Sequence, residues 1–328
     1  MTQLYCSHIS EPKSAQSLAD PGIPTLHAIL NPCELASHLC SILPPHWGVL
    51  RDIRINVLKH HEGSRCTVDI TLQTTTGNHE LIGKVYAEDR SDVYQAMKQI
   101  SQSGFGPEAE FSIPRPLAFI RDLNLLVQEK VQGQLAKEIF LTGNDSERAK
   151  AAERCARWLA HFHTRAPMSG PVFLFTHELG EQCVHRKLKR AGPLSEKVGL
   201  LLKRLEGAAA TLDRSEMCAC HGGYCHHQII LTETRTATFD WDNHRVADPA
   251  WDVARFIINL QKLALKKLKS LKALDAVGEA FYETYTAASG FEVAKHLPFY
   301  KAVHILGRAR HSLEPMVDEG LRILAEEM

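Results

Sequence analysis

The segment His221-Gly222-Gly223-Tyr224-Cys225-His226-His227-Gln228-Ile229-Ile230-Leu231 runs from a polar, glycine-containing loop straight into an apolar tripeptide. Residues 228–232 read as a short strand, and residues 237–241 as a second strand after an intervening turn. The second strand closes on Asp240-Trp241-Asp242, and Ala247-Asp248-Pro249-Ala250-Trp251-Asp252 leads into a helix. A carboxylate at such a strand end offers the hard oxygen that magnesium prefers. Asp248 and Asp252 flank a proline at a helix start, where capping and an ion pair account for them without catalysis.

The same region sets Cys218, Cys220, His221, Cys225, His226 and His227 within ten residues. A structural zinc site draws paired ligands from two separated turns. The sequence shows no second CxxC or HxxxH half, so these residues read as packing and loop chemistry rather than a metal centre. Nine cysteines scattered over 328 residues, several among apolar neighbours, also argue for buried thiols and against a secreted disulfide scaffold.

Hydrophobic residues make up 44% of the chain and charged residues 23%, which excludes disordered, collagen-like and mini-protein classes. Lys plus Arg and Asp plus Glu balance at 38 each, so no global field draws the chain to nucleic acid or an anionic membrane. No apolar run approaches the roughly 18–20 residues of a membrane span, and the N-terminus lacks a signal pattern. The expectation is a cytoplasmic protein without nucleic-acid or membrane partners; its oligomeric state is not legible.

Residues 1–25 lack strand or helix periodicity and read as a flexible leader. A short helix near residues 32–43 precedes three β-branched runs at residues 53–58, 65–72 and 81–86, separated by Glu62-Gly63-Ser64 and Thr76-Gly77-Asn78. An amphipathic helix at 91–103, with Val93, Met97 and Ile100 on one face, stops at Gly104-Phe105-Gly106-Pro107. A hairpin at 117–120 and 125–131 completes five antiparallel strands. Long helical runs follow at 149–163, 194–212 and 252–274. The whole is an α+β chain, with a sheet-bearing first lobe over residues 26–133 and a mainly helical second lobe over residues 134–328.

With its order and spacing, the His221–Asp252 constellation resembles the aminoglycoside phosphotransferase and choline kinase-like family, whose pattern is HGDxxxxN, strand, turn, strand, DxD and DPxxDxA. Ala160-His161-Phe162-His163 is similar to the LAxLH helix end that precedes it. The resemblance implies a two-lobed protein-kinase-like fold, ATP and magnesium as cofactors, and a small-molecule acceptor that the sequence does not name. It covers roughly residues 50–310.

Phosphoryl transfer needs charge neutralisation and positioning more than covalent chemistry. Lys84, in Gly83-Lys84-Val85-Tyr86, is the phosphate lysine on this resemblance, although alone it would be an ordinary strand lysine. Asp92 is the helix carboxylate assigned to hold it, where glutamate is usual. Ser64 and the backbone beside Gly63 form the phosphate-covering turn, and the backbone of Glu129 and Val131 meets the adenine edge. Asp240 matches the metal-binding aspartate, and Gln228 replaces the asparagine that supplies a second metal oxygen. Asp242 either assists or closes a turn with Asn243.

The departure is Gly223, which stands where the family carries its catalytic aspartate. Losing such a base costs on the order of 10²–10⁴ in rate. The favoured expectation is a pseudokinase or slow phosphotransferase; the runner-up is an active kinase with a base relocated to His226, His227 or Asp242; a third is a scaffold that binds no nucleotide. Histidines in such a loop are more often structural, and Cys225 is a nucleophile only if its thiol pKa is depressed. The lysines at 262, 266, 267, 269 and 272, interleaved with leucines, read as the solvated face of one basic helix.

Overall fold

The computed structural model describes residues 18–174, 189, 191–213, 216–308 and 313–326. The chain divides into two compact units, Met1–Pro107 with Ile113–Gln132, and Glu108–Ser112 with Gly133–Met328.

The first unit is a five-stranded antiparallel sheet of β1 (Leu50–His61), β2 (Arg65–Thr74), β3 (Gly77–Tyr86), β5 (Pro116–Ile120) and β6 (Leu125–Glu129) in the order β1-β2-β3-β6-β5. The short strand β4 (Phe111–Ser112) belongs to the second unit. Alternation in the strands sends Cys66, Val68, Ile70 and Leu72 of β2 and Leu81 and Val85 of β3 into one core. Gly83 lies on that same face, where a Cβ would meet Val68 Cγ2 at 2.8 Å, so packing requires glycine there. Lys84 therefore takes the opposite face, opposite Thr67 of β2 and Leu126 of β6 in register.

Helices α1 (Leu26–Leu30) and α2 (Pro32–Leu39) close the core side with Leu26, Ile29, Leu30, Leu35 and Leu39. Asn31 starts α2 by accepting from the backbone N–H of Cys33 and Glu34, with Pro32 as the first helical residue. Of the leader expected over residues 1–25, the part described, residues 18–25, carries core contacts. Residues 1–17 lie outside the described residues, but Ile23 is buried in the core and Leu18 packs against it. These two anchors are five residues apart with Pro21 and Gly22 between them, a spacing that matches neither a helix nor a strand, which is why the segment showed no period. Helix α3 (Ser91–Ile100) buries Val93, Ala96, Met97 and Ile100.

In the second unit, α4 (Ala136–Thr142) precedes α5 (Asp145–Arg165), which begins with a capping box: Asn144 accepts from the backbone N–H of Glu147, and Glu147 accepts from that of Asn144. Its buried face carries Cys155, Trp158, Leu159, Phe162 and His163. The loop strands are shorter than read from sequence, β9 (Ile229–Leu231) and β10 (Thr236–Thr238), and they join β4 and β7 (Gln134–Leu135) in one sheet. A second pair, β8 (Cys218–Cys220) with β11 (Arg245–Ala247), gave no sequence signal because each strand has three residues.

Helix α6 is Ser195–Thr211, and α7 is Ala250–Leu263. The expected continuous helix over 252–274 is corrected: α7 gives way to a π turn at Ala264–Leu268, and Lys269 adopts a left-handed φ of 62°. The five lysines thus do not share one helical face. Helices α8 (Asp275–Ser289), α9 (Leu297–Leu306) and α10 (Glu314–Glu326) complete the unit, and Phe281 of α8 stacks on Phe256 of α7 at 3.9 Å. No helix among the described residues is long and apolar enough to cross a membrane.

Candidate active site

The loop after β8 is fixed from beneath by α7. Asp252 accepts the backbone N–H of His221 at 2.7 Å and of Gly222 at 3.0 Å, while the Trp251 indole N–H donates to the Gly222 carbonyl at 3.2 Å. Gly222 has φ +73°, and a Cβ there would lie 1.9 Å from the Asn243 carbonyl oxygen. Only glycine fits both demands. Tyr224 anchors the loop's other end, donating its hydroxyl to the Cys155 carbonyl at 2.7 Å and stacking on Trp158. Sequence reading gave Tyr224 no role, since its partners lie on a distant helix.

His221 is fully buried. Its Nδ1 accepts the Gly223 N–H at 3.1 Å, which leaves Nε2 to donate to the Phe239 carbonyl at 3.0 Å. Burial pulls its pKa down to about 4. It is a neutral bracket joining the loop to the residue before Asp240. Asp240 sits at φ 74°, ψ 61°, a left-handed conformation that non-glycine residues adopt at a cost and that clusters at functional sites. Its Oδ2 accepts from Gln228 Nε2 at 2.9 Å.

The Gln228 amide is oriented by Cys225, whose thiol donates to Gln228 Oε1 at 3.0 Å. The amide oxygen expected on a metal is thus turned to the thiol, and the N–H₂ end faces Asp240. A carboxylate with one rotatable amide still matches magnesium, which takes one or two protein oxygens and fills its shell with phosphate and water. Gly223 adjoins this pair: a Cβ built on it lies 3.4 Å from Gln228 Nε2 and 3.2 Å from His221 Nδ1. Asp242 lies half-buried in the single turn Trp241–Asn243 that follows Asp240.

Two conditional roles for this loop, His226 as a relocated base and Cys225 as a nucleophile, find no support in its geometry. His226 is buried and donates Nε2–H to the Asn259 carbonyl at 3.2 Å, and burial pulls its pKa down to about 3, far below what an efficient base needs near pH 7. Cys225 is no activated nucleophile, because burial pushes its thiol up to about 12 against the opposing pull of Arg255 and Arg308. His227 is exposed.

The structure also brings to Cys218 and Cys220 a third ligand that sequence spacing missed. His163 of α5 joins Cys218 and Cys220 so that one ligand atom from each lies within 4.8 Å of the others. His163 is otherwise committed, with Nδ1 2.8 Å from the Tyr285 hydroxyl and Nε2 3.5 Å from Asp252 Oδ2. Burial would lower its pKa, but it stands well above the ordinary value, with the Asp252 carboxylate favouring the charged ring. A charged imidazole donates from both nitrogens and has no lone pair for a metal. The trio reads as a buried ion pair beside two thiols.

In the first unit, Lys84 is 6% exposed. Asp92 opens α3 and accepts from Arg90 at 3.0 and 3.2 Å. In the turn expected to cover the phosphates, the Gly63 N–H donates to Asp20 Oδ2 at 2.8 Å, and His60 Nε2 meets the same oxygen at 2.7 Å. The hydrogen bonds from Gly63 and His60 hold the Asp20 carboxyl below its usual range. Ser64 is exposed, and its backbone carbonyl accepts from Ala87. Glu129 N–H donates to the Arg115 carbonyl and its carboxylate accepts the Arg115 N–H, both at 2.9 Å; Val131 lies in the irregular segment after β6. Lys130, between them, grips Asp69 at 2.9 and 3.1 Å.

A kinase-type loop, with its histidine bracket, strand-end aspartate and helix-borne anchor, defines a protein-kinase-like phosphotransferase. The sequence model of the phosphotransferase enzyme family matches residues 73–299, and the chain belongs to that family. None of the curated protein sequences compared with the chain matches it. Among solved structures, choline kinase LicA from Streptococcus pneumoniae is similar at TM-score 0.55 and 15% identity, over 89% of this chain and 97% of that one. A choline/ethanolamine kinase family protein from Mesorhizobium loti gives 0.56 and 14%, over 84% and 92%. Spectinomycin phosphotransferase APH(9)-Ia, in complex with ADP and spectinomycin, gives 0.56 and 12%, over 84% and 94%. At these identities the likeness is one of fold.

Proposed function

We propose that the chain binds Mg-ATP and is a phosphotransferase-family member without the usual base, transferring phosphate slowly or serving as a nucleotide-dependent pseudokinase. The observation that carries this reading is the loop: His221 brackets the Gly223 N–H and the Phe239 carbonyl, Asp252 holds Gly222, and Gln228 donates to Asp240, all around a position, Gly223, that has no side chain. Costly features persist there, a left-handed Asp240 and a glycine-only Gly222, which a site without a ligand has no physical need to keep.

In this reading Lys84 meets a phosphate oxygen, the backbone of Glu129 and Val131 meets the base, and Asp240 with a rotated Gln228 amide holds the magnesium. Magnesium, when bound, neutralises phosphate charge. The chain's own part is to fix the loop through Asp252 and to hold His221 neutral. With burial pulling the His226 pKa down to about 3, too weak a base near pH 7, a relocated base reduces to Asp242 or the exposed His227.

Mg-ATP at millimolar concentration should raise Tm by ligand linkage, and Asp240→Ala should abolish that rise. Absence of a shift in the wild-type protein would leave the scaffold reading in its place.

A further inference from the structure

A pocket of about 360 Å³ opens beside the loop, lined by Gly222, Asn243, Arg245, Trp251, Arg255, Val303, His304, Gly307 and Arg308. That volume suits a small metabolite. Three of these side chains are guanidinium cations and none of the described lining residues is a carboxylate. Such a concentration of one sign in a chain of zero net charge is a local feature with no global cause.

The arginines are held in place by rings and backbone carbonyls. Arg245 lies over the rings of Phe173 at 4.4 Å and Trp251 at 5.2 Å, and its Nε donates to the Asn243 carbonyl. Arg308 donates Nη1–H to the His304 carbonyl at 2.8 Å. Arg255 has a buried Nε with no hydrogen-bond partner. Neither Arg255 nor Arg308 has an ion pair among the described residues. Burial and the like charge of Arg255 lower the Arg308 pKa to about 10. His304 donates Nε2–H to the Trp251 carbonyl and is kept neutral by burial. Guanidinium forks match carboxylate and phosphate oxygens in bidentate geometry, and an anion would relieve the repulsion stored here.

We propose that this pocket is the acceptor subsite and that it takes a small hydroxylated molecule by its anionic group, a carboxylate or a phosphate. The inference rests on the phosphotransferase reading and names its substrate class. Gly222, which lines the pocket, immediately precedes the position of the missing base. A quaternary ammonium acceptor such as choline would meet three cations of its own sign.

Calorimetric titration of the full chain with D-glycerate, glycerol 3-phosphate and choline, each with and without saturating Mg-ADP, tests this. Binding of either anion, persisting in Mg-ADP, supports the proposal; glycerate alone identifies a carboxylate and glycerol 3-phosphate alone a phosphate. Arg308→Met and Arg255→Met should each weaken that binding about tenfold or more, the loss of one charged hydrogen bond. Without ligand, Arg308→Met should keep or raise Tm, which a structural arginine would not allow. Binding of choline but neither anion, displacement of the anion by Mg-ADP, or unchanged affinity in both variants would overturn it. Anion binding that needs Arg308 in a protein that ignores Mg-ATP would sink the nucleotide reading and leave the pocket standing; Mg-ATP binding with no anion binding would do the reverse.

Discussion

Asp252 holds the backbone N–H of His221 at 2.7 Å across thirty-one residues of chain, so the helix after the loop sets the loop's shape. Burial pushes the Asp252 carboxyl up, yet the hydrogen bond and charge of His163 together with the His221 N–H leave it below the ordinary carboxylate range. It is an ionised, buried anchor rather than a proton acceptor. Asp252→Ala strands two buried N–H groups and the His163 charge, and should cost about 3–5 kcal/mol in urea unfolding. A loss under about 1 kcal/mol would mean that the loop is held by something else.

The two glycines of the loop should respond differently. At Gly222, φ +73° and the 1.9 Å approach to the Asn243 carbonyl combine strain with a backbone clash, so Gly222→Ala should cost about 2 kcal/mol or more. Gly223 needs no left-handed backbone, and its added Cβ meets only side-chain atoms at 3.2 to 3.4 Å. Gly223→Ala should stay within about 1 kcal/mol of the parent in the same denaturation series. Equal losses at both positions would contradict this geometry.

Acid should weaken the fold before the carboxylates titrate. His221 and His226 stay neutral in the folded chain down to about 4 and about 3, while in the unfolded chain each gains a proton near 6.5. The unfolded state binds more protons in that window, so stability falls with falling pH, by about 1.4 kcal/mol per pH unit for each histidine. His163 acts oppositely: its contribution is complete below 6.5 and is lost as pH rises through its raised folded value. Asp252 contributes above 3.8 and loses that contribution as pH falls through its lowered value. Replacing His226 with Asn should flatten the profile between about pH 6.5 and 4 by one histidine's share. An unchanged slope would show that His226 is not the buried neutral group described here.

The sheet was legible because β2 alternates cleanly, with Cys66, Val68, Ile70 and Leu72 facing one core, and the loop was legible because its glycines and aspartates sit at fixed offsets. What escaped depends on distant partners. Tyr224 acquires its role only when Cys155 and Trp158 are brought under it by α5, and His163 meets Cys220 only through the fold. The arginine pocket was invisible for the same reason, since Arg245, Arg255 and Arg308 lie on three separate segments. Asp20 escaped because a single carboxylate reaching the Gly63 N–H leaves no periodic trace.

The thiol cluster yields a compositional prediction. With His163 bonded to Tyr285 and paired with Asp252, and with burial pushing the Cys220 thiol up, purified protein should carry less than about one equivalent of zinc, and chelators should leave its Tm unchanged. Stoichiometric zinc by elemental analysis would contradict this assignment.

The most direct test of the central claim is the rate of ATP turnover by the wild-type protein and by Gly223→Asp, measured side by side with and without the anionic acceptors. The backbone at Gly223 admits a side chain, and its Cβ would stand between His221 and Gln228, beside Asp240. If the missing carboxylate is the main defect, wild-type transfer lies well below the roughly 1–100 s⁻¹ typical of kinases, and Gly223→Asp creates or raises turnover, at least as slow hydrolysis. Wild-type turnover within that range, unchanged by Gly223→Asp and lost on mutating Asp242 or His227, would contradict it and establish a relocated base.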